Sequence, residues 1–184
     1  MMPLVPTSCF FTRGHGIHRQ NLQSFEVALR DAGIAQCNLV RVSSIFPPEC
    51  RILAAKEGLK KLVPGQIAFC VMAEARTDEP NRLVSAGIGL AIPADRARHG
   101  YISEHHGYGM TEKKTEELVE DLAASMLAST LDIEFDPNED YDRRREVYRM
   151  SGQIVRTRST VQTAEGDKNG LWTTVVAACV FFFD

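Results

Sequence analysis

Two adjacent serines, Ser43 and Ser44, occupy a position in this chain where backbone chemistry is conceivable. They follow the run NLVRV, which begins at Asn38, and they precede Ile-Phe and the pair Pro47-Pro48. The run alternates like a β-strand, and proline cannot donate to a strand ladder, so the strand must end near the serines. A serine pair at a strand end is usually the polar start of a loop, and the dipeptide alone predicts nothing more.

A strained peptide between the two serines would permit self-cleavage of the chain. The Ser44 hydroxyl would attack the carbonyl carbon of Ser43 and convert the amide to an ester, provided that a nearby donor stabilises the oxyanion. Asn38, upstream on the same short strand, offers a side-chain amide for this purpose. β-Elimination of the ester would release a chain ending at Ser43 and leave dehydroalanine at position 44, which hydrolyses to a pyruvoyl group. The chain would thereby make its own electrophilic ketone.

Other motifs that carry chemistry are weak in this sequence. The histidine pairs His15 with His18, and His105 with His106, each lack a third ligand at a recognisable spacing, so no metal site is predicted. No G-x-G-x-x-G follows a strand, and the P-loop, the G-x-S-x-G elbow and the H-E-x-x-H motif are missing from the sequence. The sequence therefore lacks the common signatures of nucleotide-binding proteins, serine hydrolases and zinc proteases.

Composition limits the class of protein further. The chain has 184 residues, of which 44% are hydrophobic and 24% charged, and this fits one globular domain with a substantial core. A net charge of -3 argues against a nucleic-acid partner. The sequence shows no secretory signal and no apolar run of about eighteen residues, so we expect a cytoplasmic protein without a membrane partner. Five scattered cysteines without a C-x-x-C pair suit a reducing compartment.

Hydrophobic periodicity predicts the elements that would position the serines. Strands are predicted over Thr7–Thr12, Cys37–Val42, Gln66–Glu74, Leu83–Ile92, Gly100–His105, Gln153–Thr163 and Leu171–Phe183. A turn is predicted at Gly14–Gly16, and the strands on either side of the polar turn Arg76–Asn81 are expected to form an antiparallel pair. One helix should run from Asn21 to a stop at Gly33.

A second, longer helix is predicted after an N-cap at Thr111. Its buried stripe is expected to carry Leu118, Leu122, Met126 and Leu127. Strands in runs, with the helices set apart, favour an α+β fold with a largely antiparallel sheet. The apolar segment Leu171–Phe183 should be buried on both faces or covered by a partner subunit. Asp132–Arg149 is expected to be a solvated loop or short exposed helix, and no linker divides the chain.

The segment NLVRVSSIFPPE resembles the self-cleavage segment of the pyruvoyl-dependent arginine decarboxylases, in which the chain is cut between two serines and Pro-Pro follows two residues later. The segments FEVALRDAGIAQCNLV, VSAGIGLAIP and GYISEHHG are also similar to that family. The resemblance implies an αββα sandwich, a trimer of cleaved αβ protomers with sites at subunit interfaces, and decarboxylation of L-arginine to agmatine and CO2. It further implies a covalent pyruvoyl group derived from Ser44, which binds the substrate as a Schiff base without pyridoxal phosphate or metal.

The resemblance also implies a role for individual residues. Ser44 would become the pyruvoyl group and Ser43 the new carboxyl end, so that residues 1–43 form a β chain and residues 44–184 an α chain. Asn38 matches the asparagine that assists cleavage and catalysis. Glu104, in GYISEHHG, matches the proton donor, which requires that burial keep the acid protonated. Glu26, in SFEVAL, lies where the family places an acid for the guanidinium, although aspartate is expected there.

Two other functions stay open at this point. One is a pyruvoyl enzyme for another amino acid, because histidine decarboxylases of this kind also cleave a Ser-Ser pair. Product analysis with a panel of amino acids separates the two enzymes. The other is an uncleaved, non-catalytic family member that acts as a structural or regulatory subunit. That alternative predicts a single full-length mass after prolonged incubation.

Overall fold

Two β-sheets lie face to face, and helices cover the outer face of each sheet. The computed structural model describes residues 4–131 and 153–183. Its strands are β1 (Ser8–His18), β2 (Asn38–Arg41), β3 (Ile45–Phe46), β4 (Arg51–Ile52), β5 (Ile67–Thr77), β6 (Leu83–Pro93), β7 (Gly100–Tyr108), β8 (Ile154–Glu165) and β9 (Trp172–Phe182). Its helices are α1 (Asn21–Asp31), α2 (Ala55–Lys61) and α3 (Glu112–Ala128).

The strand order places the two sides of the serine pair in different sheets. The first sheet has the order β2-β5-β9-β1-β4, and the second has the order β3-β7-β6-β8. The β2–β5 and β1–β4 pairs are parallel, and the remaining pairs are antiparallel. The predicted α+β sandwich with largely antiparallel sheets is therefore confirmed. Strand β2, before the serines, and β3, after them, are edge strands of different sheets.

Strand alternation builds two cores, one between the sheets and one under α1 and α2. In β5, Val71 and Ala73 face the second sheet, whereas Cys70 and Met72 face the helices. Strand β9 is central in the first sheet and contributes to both cores, and its residues after Trp172 are buried. The prediction of a strand buried on both faces is confirmed, and the protomer itself supplies the cover.

The prediction of a turn at Gly14–Gly16 is wrong, because β1 continues to His18. The glycines face α1, which packs against the strand backbone. A Cβ atom on Gly16 would lie 2.3 Å from the Ser24 carbonyl oxygen. On the second sheet, a Cβ on Gly89 would lie 1.9 Å from the Val119 carbonyl oxygen of α3. Both sites need glycine because a helix backbone approaches a strand backbone closely.

The prediction that β5 pairs with β6 is also wrong. Strand β5 pairs with β2 and β9 in the first sheet, and β6 pairs with β7 and β8 in the second. The connection between them carries the chain across the sandwich, with Asn81 at φ 59° in the turn. The apolar alternation of two successive strands is the same whether they form a hairpin or lie in different sheets. It therefore does not show which strands will be neighbours.

The N-cap of α3 is confirmed, and its predicted buried stripe is partly wrong. The Thr111 hydroxyl accepts a hydrogen bond from the Lys114 N–H at 3.4 Å. Leu122 is exposed, and the buried face consists of Thr115, Val119, Ala123, Ala124, Leu127 and Ala128. Small side chains face the sheet because the helix lies close to it at Gly89.

None of the described helices is long and apolar enough to cross a membrane. The predicted charged segment Asp132–Arg149 lies outside the described residues.

Candidate active site

The two serines lie where the chain passes from the first sheet to the second. Before them, the Val42 N–H donates to the Cys70 carbonyl oxygen of β5 at 2.9 Å. After them, the Ile102 N–H of β7 donates to the Ser44 carbonyl oxygen at 2.7 Å. The peptide bond between Ser43 and Ser44 therefore spans the gap between the sheets, with a backbone hydrogen bond to each sheet on either side of it.

A tight turn surrounds this peptide bond. The Ile45 N–H donates to the Ser43 carbonyl oxygen at 3.1 Å, which is the i to i+2 pattern of a γ-turn centred on Ser44. Among the described residues, positive φ outside glycine occurs at Glu49 and Asn81. Ser44 therefore does not adopt the rare, strained γ-turn that needs a positive φ. The strained peptide proposed from the sequence is not explained by backbone strain of this kind.

An apolar cavity opens beside the serines. Ser43 is exposed and Ser44 is half-buried. The cavity has a volume of about 370 Å³, and Ser43 lines it together with residues of the N-terminal segment, the Pro47-Pro48 turn and the C-terminal Phe181 and Phe183. The hydroxyl-bearing segment thus borders a space with few polar groups.

Glu104 lies on β7, two residues beyond Ile102, the residue that binds Ser44. Such i and i+2 side chains share a face and lie about 7 Å apart along a strand. Glu104 is exposed in the protomer. Burial raises the pKa of the neighbouring Cys70 to about 11, while Arg41 lowers it and Glu104 raises it. Glu104 therefore lies on the strand that contacts Ser44, two residues from that backbone hydrogen bond.

The other two predicted site residues lie away from Ser44 within one protomer. Asn38 is at the opposite end of β2, where its Nδ2 donates to the Gly65 carbonyl oxygen at 2.9 Å. Glu26 is on α1, on the outer face of the first sheet, where its Oε1 accepts from Arg30 Nε at 2.6 Å. Each polar group already has a partner within its own chain.

An ionic network that the sequence did not indicate connects the strand before the serines to β5 and α1. Arg41, in β2, pairs with Glu74 of β5. Glu74 Oε1 also accepts from Arg76 Nη2 at 2.9 Å, and the Arg76 guanidinium lies 4.5 Å from the centre of the Phe25 ring of α1. No local signal predicts these contacts, because the residues come from three distant segments and look like ordinary surface charges.

His105 has an unusual environment for a histidine beside the proposed proton donor. Its Nε2 is buried without a hydrogen-bond partner among the described residues. Burial, followed by the neighbouring His106, lowers the pKa of His105. Residues 4–131 and 153–183 contain no group of three or more His, Cys, Asp or Glu side chains that could hold a metal ion.

These features define a class of protein: an αββα sandwich in which a Ser-Ser peptide bond connects the two sheets beside a carboxylate. A family profile described as "Pyruvoyl-dependent arginine decarboxylase (PvlArgDC)" matches residues 8–184. The chain belongs to the pyruvoyl-dependent arginine decarboxylase family, whose enzymes are carboxy-lyases. This family uses a covalent pyruvoyl group as its cofactor.

Individual relatives agree with the family profile over almost the whole chain. A protein of Chloroherpeton thalassium named "Probable pyruvoyl-dependent arginine decarboxylase" is 59% identical over 179 residues, covering 97% of this chain and 98% of the relative. The "Pyruvoyl-dependent arginine decarboxylase" of Methanococcoides burtonii is 52% identical over 178 residues, covering 97% of this chain and 99% of the relative. That of Nitrosopumilus maritimus is 49% identical over 180 residues, covering 98% of each chain. The resemblance inferred from the motifs is confirmed.

Proposed function

We propose that this chain cuts itself between Ser43 and Ser44, and that the product decarboxylates L-arginine to agmatine and carbon dioxide. The observation that supports the cleavage step is the Ser43–Ser44 peptide bond between the two sheets, held by a backbone hydrogen bond to each sheet. Membership of the family and the names of the relatives support arginine as the substrate.

The residues at the cut fit the precursor of a pyruvoyl group. The Ser44 hydroxyl belongs to the residue that follows the carbonyl it must attack. Ser44 is half-buried, and Ser43 lines an apolar cavity. When formed, the pyruvoyl ketone supplies the electron sink that amino-acid decarboxylation needs. After cleavage, residues 1–43 would stay in place because β1 pairs with β9 from Ser8–Phe182 to His18–Trp172.

Glu104 is our proposed proton donor to the α-carbon of the substrate. It lies on the strand that binds Ser44, and its side chain projects from the face of the second sheet that is turned toward the first, as its partner Ile88 does. A carboxylic acid donates a proton effectively when its pKa is near the working pH. Because Glu104 is exposed in the protomer, this role requires cover from the substrate or from a neighbouring subunit.

We propose a trimer whose subunits meet near the edge formed by β2 and β3. Large apolar side chains are exposed along this edge and at the start of the adjoining strand β5, and they are Val40, Val42, Ile45 and Ile67. Edge strands with exposed apolar residues are usually covered in the native assembly. Because Asn38 and Glu26 lie away from Ser44 within a protomer, their proposed roles require Ser44 of a neighbouring subunit.

Glu26 is the proposed carboxylate for the guanidinium of arginine, since such a pair is strong and geometrically selective. Glu26→Gln should raise the KM for arginine. Glu79→Gln is the matched control, because Glu79 is also exposed and pairs with an arginine of its own chain, Arg82. Equal KM values for the two variants would remove Glu26 from substrate binding.

Intact-mass analysis tests the proposed function most directly. Cleavage predicts two masses, for residues 1–43 and for residues 44–184 carrying a keto group, whereas Ser44→Ala should give one full-length mass. The cleaved protein is then supplied with a panel of amino acids that includes arginine and histidine, and it should form agmatine from arginine. A persistent full-length mass would support a non-catalytic subunit, and turnover of a different amino acid would overturn the assignment of arginine.

A further inference from the structure

We infer that the backbone N–H of Ile45 is the oxyanion donor for the self-cleavage reaction, an inference that rests on the proposed cleavage at Ser44. The Ile45 N–H donates at 3.1 Å to the carbonyl oxygen of Ser43. This is the oxygen on which negative charge develops when the Ser44 hydroxyl attacks. Effective oxyanion donors lie about 2.7–3.1 Å from the position that the oxyanion occupies in the intermediate. The Ile45 N–H already lies 3.1 Å from the ground-state oxygen.

The chemical step needs no co-reactant. The Ser44 oxygen bonds to the Ser43 carbonyl carbon, and the π electrons of the carbonyl move to its oxygen, where the Ile45 N–H donates. Collapse of this intermediate breaks the bond from carbon to the Ser44 nitrogen. The nitrogen gains the proton that the hydroxyl lost, so an amide becomes an ester and a free amine with no change in composition. β-Elimination of the ester then follows as proposed above.

The Ile45 N–H is held in place before the reaction begins. The Ser44 carbonyl and the Ile45 N–H belong to one planar trans peptide unit, so they point in opposite directions. The Ile102 N–H binds the Ser44 carbonyl oxygen at 2.7 Å, which fixes the plane of this unit. Ile45 itself is paired with Tyr101 of β7. A donor fixed in this way stabilises the oxyanion without the cost of reorientation.

The same hydrogen bond strengthens the donor. Hydrogen bonds in a chain polarise one another, so a peptide unit that accepts at its carbonyl is a better donor at its N–H. The chain here runs from the Ile102 N–H through the Ser44–Ile45 peptide unit to the Ser43 carbonyl oxygen. Within one protomer, the Asn38 side chain, which is predicted to support the oxyanion, donates to the Gly65 carbonyl oxygen at the far end of β2. The second sheet therefore contributes to the reaction through the backbone.

Replacement of the Ile45 amide by an ester tests the inference. Nonsense suppression with the α-hydroxy acid analogue of isoleucine removes the N–H and keeps the side chain. The matched control is the α-hydroxy acid analogue of valine at Val42, which removes a backbone donor on the other side of the serines, 2.9 Å from the Cys70 carbonyl oxygen. The rate at which the 44–184 fragment appears is followed by intact mass, and thermal unfolding of each protein is measured in the Ser44→Ala background.

We expect the Ile45 ester to cleave about 10²–10³-fold more slowly than the wild type, the usual effect of losing one oxyanion donor. The Val42 ester should cleave within about tenfold of the wild type, because it loses an ordinary backbone hydrogen bond. Both esters should lower the unfolding temperature by similar amounts. Equal cleavage rates for the two esters would overturn the inference and leave self-cleavage intact. A wild type that does not cleave would refute the proposed function itself.

Amide hydrogen exchange provides a second test that leaves the backbone unchanged. In full-length Ser44→Ala protein, the Ile45 amide should be protected from exchange, because it donates to the Ser43 carbonyl. A short unstructured peptide with the sequence around Ile45 supplies the reference rate for an unprotected amide. Exchange of the Ile45 amide at an unprotected rate would mean that the hydrogen bond is not formed in solution, and the inference would then be wrong.

Discussion

Phe10→Ala should weaken the attachment of residues 1–43 to the rest of the protein. Phe10 is fully buried, and its ring stacks on Phe182 with centroids 5.7 Å apart. Helix α2 presses on the same ring, since a Cβ on Gly58 would lie 2.3 Å from it. Phe10 belongs to the proposed β chain, whereas Gly58 and Phe182 belong to the α chain, so this ring is a contact between the two cleavage products.

Removal of a buried phenylalanine ring costs about 3–5 kcal/mol of folding free energy, with the larger values where the cavity cannot collapse. The Phe10 ring lies between the backbone of α2 and a strand of the sheet, neither of which moves easily. We therefore expect the upper half of that range. A domain is typically stable by about 5–15 kcal/mol, so the loss would be a large fraction of the total.

The change in stability is measured by urea unfolding of the full-length Ser44→Ala protein with and without Phe10→Ala. Leu22→Ala is the control, because Leu22 is in the same segment and is 73% exposed. The control should stay within about 0.5 kcal/mol of its parent. In cleaved protein, Phe10→Ala should also release residues 1–43 at a lower urea concentration. A loss below about 1 kcal/mol would refute the assignment of this ring as a main contact between the products.

Three other changes test the site and its scaffold. Glu104→Gln should lower kcat for arginine by about 10²–10⁴ without preventing cleavage, and unchanged turnover would remove Glu104 from the mechanism. Gly89→Ala should lower the free energy of unfolding by about 1–3 kcal/mol, because the new Cβ would force α3 away at Val119. The unfolding temperature should then fall by about 2–4 °C per kcal/mol, and an unchanged temperature would contradict the close packing of strand and helix. The pKa of His105 is lowered below its ordinary value of 6.5 by burial and by His106. Between the lowered pKa and 6.5, the unfolded state therefore binds more protons than the folded state, so stability falls as the pH drops through that window. His105→Asn should reduce this loss of stability, which is measured by urea unfolding at several pH values. An unchanged pH dependence would show that His105 does not contribute to it.

Local features could be predicted from the sequence because they depend on residues that are neighbours along the chain. Alternation and the Pro47-Pro48 pair predicted that a strand ends at the serines, and β2 does end at Arg41. The N-cap at Thr111 and the buried apolar strand near the C-terminus were also predicted correctly. The Ser-Ser segment was distinctive enough to indicate the family, and the family profile agrees.

Tertiary structure alone decided what depends on contacts between distant segments. The sequence could not show that β5 and β6 join different sheets, or that Gly16 lies in a strand under a helix backbone, because both outcomes share one local pattern. It also could not show that Asn38 binds Gly65 rather than the region of Ser44. Every residue except proline has a backbone N–H, so nothing in the side chain of Ile45 indicates that its amide lies on the Ser43 carbonyl oxygen. That contact exists because the chain crosses between two sheets at this point and is held on both sides.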